Sequence, residues 1–201
     1  MSLATYQGVR DFAKSPEPEG ESVRDTREHR FAIHKHGEPS QQYELRLEID
    51  GVLKTWVLPK GPSLDTRERR LALPLEDHPV EYLDFEGVIP KGQYGEGPVI
   101  VWDQGVYQNL RKDKEDDWSS MGAAYAEGKI EVVLNGQKLE GGFALIRTEE
   151  EDAEQGERWL MVKIDDEFAN PDEHVASNQP RSVISGYTTE ELLDEIEHSP
   201  A

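Results

Sequence analysis

Residues 31–58 read FAIHKHGEPSQQYELRLEIDGVLKTWVL, and this stretch decides the fold class. The runs Phe31–His36, Tyr43–Ile49 and Val52–Val57 alternate apolar and polar residues at the period of a half-buried strand. Asp50-Gly51 joins the last two as a dipeptide that tolerates the positive φ of a tight hairpin turn. A strand sends alternate side chains to opposite faces. His34 and His36 therefore share one face of the first strand, and Gln42, Glu44 and Arg46 share one face of the second. Pairing across the turn at Gly37–Ser40 lines a single wall with two imidazoles, an amide, a carboxylate and a guanidinium. Such a wall suits a divalent metal together with a phosphate. Gln42 stands where a stronger ligand is wanted.

The same grammar continues downstream. Arg70–Leu75, Pro98–Asp103, Gly105–Leu110, Lys129–Leu134, Gly142–Arg147 and Trp159–Ile164 are short runs rich in β-branched and aromatic residues. Asn135-Gly136 reads as a second hairpin dipeptide and Gln104-Gly105 as a weaker one. The expected fold is mainly β: a compact, closed or partly open β-barrel of short antiparallel strands with a few flanking short helices. Helices are expected at Leu3–Ala13, at Asp117–Gly128 and at Thr188–Glu197. In the second, Trp118, Met121, Ala124 and Tyr125 recur at helical spacing and Gly128 caps the end. The third opens on Thr188 or Thr189 with acid in its first turn. Glu149–Glu157 reads as an acidic loop and Asn170–Pro180 as an irregular linker. The chain thus divides into an amino-terminal segment packing on the barrel (1–29), the barrel (30–168), and a linker with a carboxy-terminal acidic helix (169–201).

Composition narrows the function classes. A chain of 201 residues holds one well-packed domain, and its 35% apolar content implies sizeable loops or tails. With no cysteine, disulfides, iron–sulfur clusters, thiolate zinc and cysteine nucleophiles all drop out. No secretory h-region and no apolar run of membrane-spanning length occur, so a cytoplasmic location without a membrane partner is expected. The formal charge of −20 runs against nucleic-acid binding, which needs Lys and Arg to displace counterions. Global charge is not local charge, however. Acid concentrates at Glu149–Glu157, Asp165–Glu167, Asp172–Glu173 and Glu190–Glu197, whereas basic residues gather at Lys54–Lys60 and Arg67–Arg70. A solvated acidic surface, as salt-tolerant proteins carry, accounts for the total. Charge neither supports nor excludes a DNA partner.

Gly and Pro are dense between Trp56 and Trp102. Pro59-Lys60-Gly61-Pro62 reads as a rigid turn displaying Lys60, and Pro79 biases His78 towards extended backbone, with Tyr82 four residues on. Pro90-Lys91-Gly92-Gln93-Tyr94-Gly95-Glu96-Gly97 is a tight loop whose glycines allow unusual backbone angles or close approach of a ligand. It reads equally well as a structural turn, and it lacks the Walker spacing of a nucleotide P-loop.

These segments carry a resemblance. Lys35-His36, Tyr43, Arg46, the run from Leu47 to Trp56, Pro59 to Asp65, Glu76 to Pro79, and Phe85 to Pro90 with Gly92 to Gly95 together resemble the 3′-phosphoesterase domain of DNA ligase D. Tyr6, Arg10-Asp11-Phe12 and Pro16-Glu17-Pro18 resemble that family's leading motif, and Gly141–Arg147 with Trp159–Lys163 its closing strands. The similarity runs over residues 5–168 in order. It implies a β-barrel with a manganese-dependent site that removes a 3′-terminal ribonucleotide and then the 3′-phosphate before end joining. By position it makes His36 a metal ligand and puts Arg46 and His78 on the scissile phosphate. Tyr82 would then hold the phosphate or its supporting shell, Lys60 and Arg70 would be further phosphate contacts, and Arg10, Asp11 and Glu17 would support the phosphatase step. The implied partners are DNA or RNA–DNA 3′ ends, with a separate DNA ligase, polymerase or end-binding protein.

Three positions depart from the family pattern. Gln42-Tyr43-Glu44 replaces His-Tyr-Asp, and His34 stands where the family usually has Gln. Two outcomes are open: a compensated site in which His34 supplies the imidazole lost at Gln42, or a weak or inactive site acting as a DNA-end or repair-protein binding module. The chemistry can be stated without the family. Phosphoester hydrolysis needs charge neutralisation, which Arg46, Lys60 and a metal can give, and an oriented water. It also needs a proton donor or phosphate clamp, for which His78 is the candidate. Plainer readings stand beside these. Tyr82, Trp56 and Trp102 can be ordinary packing, and His29, His174 and His198 carry no motif that singles them out.

Overall fold

The computed structural model describes residues 2–20, 29–111, 117–148 and 156–198. Its strands are β1 (Arg30–His36), β2 (Gln42–Ile49), β3 (Val52–Leu58), β4 (Arg70–Pro74), β5 (Gly87–Ile89), β6 (Gly97–Asn109), β7 (Lys129–Asn135), β8 (Glu140–Arg147) and β9 (Trp159–Lys163). They form one antiparallel nine-stranded sheet in the order β1-β2-β3-β4-β9-β8-β7-β6-β5. Because β1 also pairs with β6, the sheet closes on itself. Nine strands less β5, which hangs on the outside of β6, leaves an eight-stranded ring. The barrel is closed.

Side-chain alternation explains where the core sits. Phe31 and Ile33 of β1, Tyr43, Leu45, Leu47 and Ile49 of β2, and Trp56 and Leu58 of β3 belong to one interior cluster. Intervening positions face outward, where Ala32 and Leu53 join Tyr6, Val80, Tyr82 and Leu83 in a second, smaller cluster. That cluster is roofed by helix α1 (Leu3–Gly8) and a 3₁₀ turn at Val80–Asp84. The polar wall read from the sequence therefore lies on the outside of the barrel, beneath the amino-terminal segment.

Turns separate the expectations that hold from those that do not. Asp50 and Gly51 both have positive φ, at 51° and 75°, as the two-residue hairpin requires. Gln104-Gly105 is not a turn, since β6 runs unbroken for 13 residues. Gly105 serves a different purpose: a Cβ there would sit 2.0 Å from the Asn135 carbonyl oxygen, so glycine lets the backbones approach. Asn135-Gly136 does not make a two-residue hairpin either. The Asp103 carboxylate accepts the amides of Gln137, Lys138 and Leu139 and organises a longer loop.

Helix α2 (Asp117–Glu127) puts Met121 and Ala124 in the barrel core with Tyr125 packed against it, and Gly128 at φ 80° ends it; the expected contribution of the Trp118 side chain lies outside what is described. The amino-terminal helix stops at Gly8, short of Ala13. The expected linker at Asn170–Pro180 contains helix α3 (Val175–Asn178) and is tied to the barrel: Val175 enters the core, and Tyr43 Oη and Trp102 Nε1 donate to the Ala176 and Gln179 carbonyls. Helix α4 (Thr189–His198) then packs against β6 and β5. Most of the acidic loop expected at Glu149–Glu157 lies outside the described residues, as do residues 21–28 of the amino-terminal segment. Among the described residues no helix is long and apolar enough to cross a membrane.

Candidate active site

Register builds the wall. In the β1–β2 ladder His36 pairs with Gln42, His34 with Glu44 and Ala32 with Arg46, so the even-numbered side chains rise on one face. β3 continues it with Thr55 and Val57, and the segment after β4 is fastened by a two-way backbone bridge between Leu53 and His78. This holds the His78 imidazole over the wall. A cavity of about 310 Å³ opens here, lined by His36, Gln42, Glu44 and Arg46 from the wall, His78 and Tyr82 from beside it, and Arg10 and Glu17 from the roof.

Glu44 is the hub. His36 Nε2 lies 3.3 Å from its Oε1, Arg46 Nη1 lies 2.7 Å from its Oε2, and the Gln42 amide donates to Oε1 at 3.1 Å. The His36 and Arg46 contacts are close but lack hydrogen-bond alignment, so His36 Nε2 and Arg46 Nε and Nη1 have no well-formed partner although buried. Burial alone opposes ionisation of Glu44, but His36 and Arg46 outweigh it and hold the carboxyl well below its ordinary range. Arg46 also stacks its guanidinium 4.4 Å from the centroid of Tyr82.

The roof is a second network. Arg10 donates from Nε to Glu17 at 2.8 Å, from Nη1 to Glu76 at 2.9 Å, and faces His78 Nε2 with Nη2 at 3.2 Å. Glu17 also accepts from Ser15 Oγ at 2.7 Å and Tyr82 Oη at 3.0 Å. Its carboxylate is thus occupied as a brace. Asp11, by contrast, pairs with Lys14 on the surface.

His78 Nδ1 lies 2.9 Å from the Glu76 carbonyl, an acceptor only, which assigns the proton to Nδ1 and leaves Nε2 to accept from Arg10. Burial, reinforced by Arg46, depresses its pKa well below the ordinary imidazole value. In the free protein His78 is therefore a neutral acceptor, not the protonated clamp considered from sequence.

Other candidates lie elsewhere. His34 shares the wall but is fully buried beneath Tyr82, ring centroids 5.4 Å apart, and does not line the cavity. Among the described residues neither of its nitrogens makes a well-formed hydrogen bond, and the contact with the Phe85 backbone falls short of that geometry. Lys60 and Arg70 line a different cleft, with Pro59, Glu68, Arg69 and Leu71. The cavity in turn includes residues that sequence reasoning passed over. Tyr94 is exposed at its rim, and outside the lining Glu76, quoted only within a motif, anchors Arg10.

The buried imidazoles have a measurable consequence. Burial, with Arg46 adding to it, also depresses the His34 pKa well below 6.5. A group whose folded pKa is depressed takes up its proton more readily in the unfolded chain, so stability falls as the pH drops below the unfolded value. Each such histidine should then cost about 1.4 kcal/mol per pH unit. Glu44 enters only at lower pH, since its depressed carboxyl contributes above its unfolded value near 4.5. Thermal melts between pH 7.5 and 5 should show this loss, and His34→Phe should flatten it by about half. An unchanged slope in that variant would refute the assignment.

The DNA ligase D 3′-phosphoesterase domain matches residues 34–147, the span that carries the wall, His78 and Tyr82. The chain belongs to this family. It is 40% identical over 190 residues to the multifunctional non-homologous end joining protein LigD of Pseudomonas aeruginosa, covering 92% of this chain and 21% of that protein. It is 39% identical over 172 residues to the protein of the same name from Mycolicibacterium smegmatis, covering 82% of this chain and 21% of that one. The chain spans about a fifth of the length of these relatives.

The manganese expected from the sequence resemblance can be tested against the donors present. His36 Nε2 is a buried nitrogen without a well-formed hydrogen-bond partner among the described residues, Glu44 supplies an anionic oxygen 3.3 Å away, and Gln42 and Arg46 both contact that carboxylate. Nitrogen and oxygen donors of this kind fit Mn²⁺. The set is thin, because among the described residues no three His, Asp or Glu side chains gather as a metal cluster.

Proposed function

We propose that the chain is a 3′-end-processing phosphoesterase that removes 3′-phosphates and 3′-terminal ribonucleotides from DNA ends during repair by end joining. The observation that carries this reading is the meeting of Arg46, His78, His36 and Glu44 around one cavity, with buried Arg46 and His36 nitrogens left without aligned partners. Polar atoms buried without partners are costly, and a phosphate and a cation would satisfy them. Arg10 is matched by Glu17 and Glu76, and Arg46 by Glu44. The lining therefore has little positive charge to spare for a phosphate dianion.

That deficit supports a cofactor. Mn²⁺ held by His36, Glu44 and the Gln42 side-chain oxygen would supply positive charge and Lewis acidity at the phosphate. Arg46 would then turn from Glu44 towards the non-bridging oxygens, and Arg10 would hold His78 in place beside the phosphate through its bond to Nε2. Tyr82 supports the Arg46 guanidinium from below. Lys60 and Arg70, in their own cleft, would contact backbone phosphates of the bound strand.

A second reading has its own support. Gln42 and Arg46 already satisfy Glu44 between them, which is the arrangement expected of a weak site that docks DNA ends or repair proteins without cleaving. Incubation with a 3′-phosphate primer–template and Mn²⁺ separates the two. Release by the unaltered protein that disappears in His78→Ala supports the enzyme. No release, but gain of activity in Gln42→His, supports the decayed site. End binding without turnover in all three supports the docking module.

A further inference from the structure

The loop between β5 and β6 carries one aromatic residue at the rim of the cavity. Tyr94 lines the cavity beside Gly95 yet is 48% exposed. The Arg10 guanidinium lies over its ring at 5.2 Å from the centroid, and the same guanidinium lies 3.8 Å from the ring of buried Tyr6. Arg10 is thus clasped between two aromatics, one in the roof and one with open surface at the mouth.

Hydrogen bonds close the loop around Tyr94. The Gly92 amide donates to the Glu96 carboxylate at 2.6 Å, and Gln93 and Glu96 amides close turns onto Pro90 and Gln93. At its base Gly97 has φ 118°, and a Cβ there would lie 2.4 Å from the Glu38 carbonyl oxygen of the β1–β2 turn. That glycine lets the loop seat directly against the turn that carries His36 and Gln42 to the wall. The backbone that bears Tyr94 is thereby seated beside the phosphate-facing residues.

We propose that Tyr94 is the platform on which the nucleobase of the 3′-terminal nucleoside stacks when its phosphate occupies the cavity. This deepens the reading above and rests on it. A half-exposed phenol ring beside a phosphate cavity offers a π-face of the kind that binds bases irrespective of sequence. Stacking of this kind changes affinity about five- to 150-fold per base, and a ring already half engaged by Arg10 belongs near the lower end. The guanidinium beneath adds cation–π character from its far side.

The test uses two 3′-phosphate primer–templates that differ only at the terminal nucleoside: one carries 2-aminopurine, the other is abasic. Tyr94→Ala should raise KM about tenfold for the base-bearing end, leave kcat nearly unchanged, and leave the abasic end unaffected. Tyr94→Phe should behave as the unaltered protein, because the ring and not the hydroxyl acts. Without turnover, the change in 2-aminopurine emission on binding should be present in the unaltered protein and Tyr94→Phe and lost in Tyr94→Ala. Equal damage to both ends would overturn the proposal and make Tyr94 a support for Arg10. An unaltered protein that neither binds nor hydrolyses either end would instead remove the phosphoesterase reading, and the platform with it.

Discussion

Arg46→Ala is expected to reduce 3′-phosphate release by at least about a hundredfold and to cost about 3–5 kcal/mol of stability. Both effects follow from one contact. The Arg46 side chain is 1% exposed and its guanidinium lies 2.7 Å from Glu44. Removing it leaves a carboxylate buried without its nearest cationic partner, which is far worse than never having buried the pair. It also removes the cation–π support over Tyr82. The double variant Arg46→Ala/Glu44→Gln should recover much of the stability, because the stranded charge is gone, and none of the activity. Arg46→Lys should not rescue turnover, since an ammonium lacks the planar fork that serves Glu44 and a phosphate together. Denaturant unfolding and phosphate release read the two effects separately. A single variant that stays as stable as the parent would show that the pair is not what holds this wall.

Tyr6→Ala is expected to cost about 3–5 kcal/mol, as for other large buried aromatics, and to loosen the roof more than the barrel. Tyr6 has no exposed surface, donates its hydroxyl to the Pro18 carbonyl at 2.6 Å, and meets the His78 ring at 4.8 Å and the Arg10 guanidinium at 3.8 Å. It belongs to the small outer cluster and not to the barrel core. Brief proteolysis should therefore cleave within residues 2–20 of the variant while the barrel strands keep their hydrogen-exchange protection. Tyr6→Phe separates packing from the hydroxyl and should cost only about 1 kcal/mol. Equal loss of protection across β1 to β9 would show that roof and barrel unfold as one unit.

The fold was legible wherever a local rule acted alone. Asp50-Gly51 adopts the turn its residue types favour, and α2 ends where Gly128 permits. Misreadings arose where a distant residue intervened. Asn135-Gly136 was overridden by the Asp103 carboxylate, which gathers three amides from more than thirty positions away. Gln104-Gly105 resembled a turn because glycine marks both turns and close backbone approach, and here it marks approach to Asn135.

The site divides in the same way. Alternation placed His36, Gln42, Glu44 and Arg46 on one face, and the ladder puts them there. Alternation cannot tell which even positions a roof will cover, so His34 was grouped with residues that reach the cavity. The bond between Arg10 and Glu76 spans 66 positions and has no local signal. Tyr94 was visible only as one letter in a glycine-rich loop whose structural and functional readings were equivalent.

The ring of strands presents two ledgers on one backbone, since odd positions of β1 and β2 fill the barrel and even positions face the roof. A substitution at 34, 42 or 44 changes the chemistry without removing an atom from the barrel interior. Selection can therefore revise Gln42 alone, whereas Glu44 and Arg46 are bound to change together, because loss of either strands the other's buried charge. A lineage of such domains can exchange polar groups on the wall while the barrel interior stays as it is.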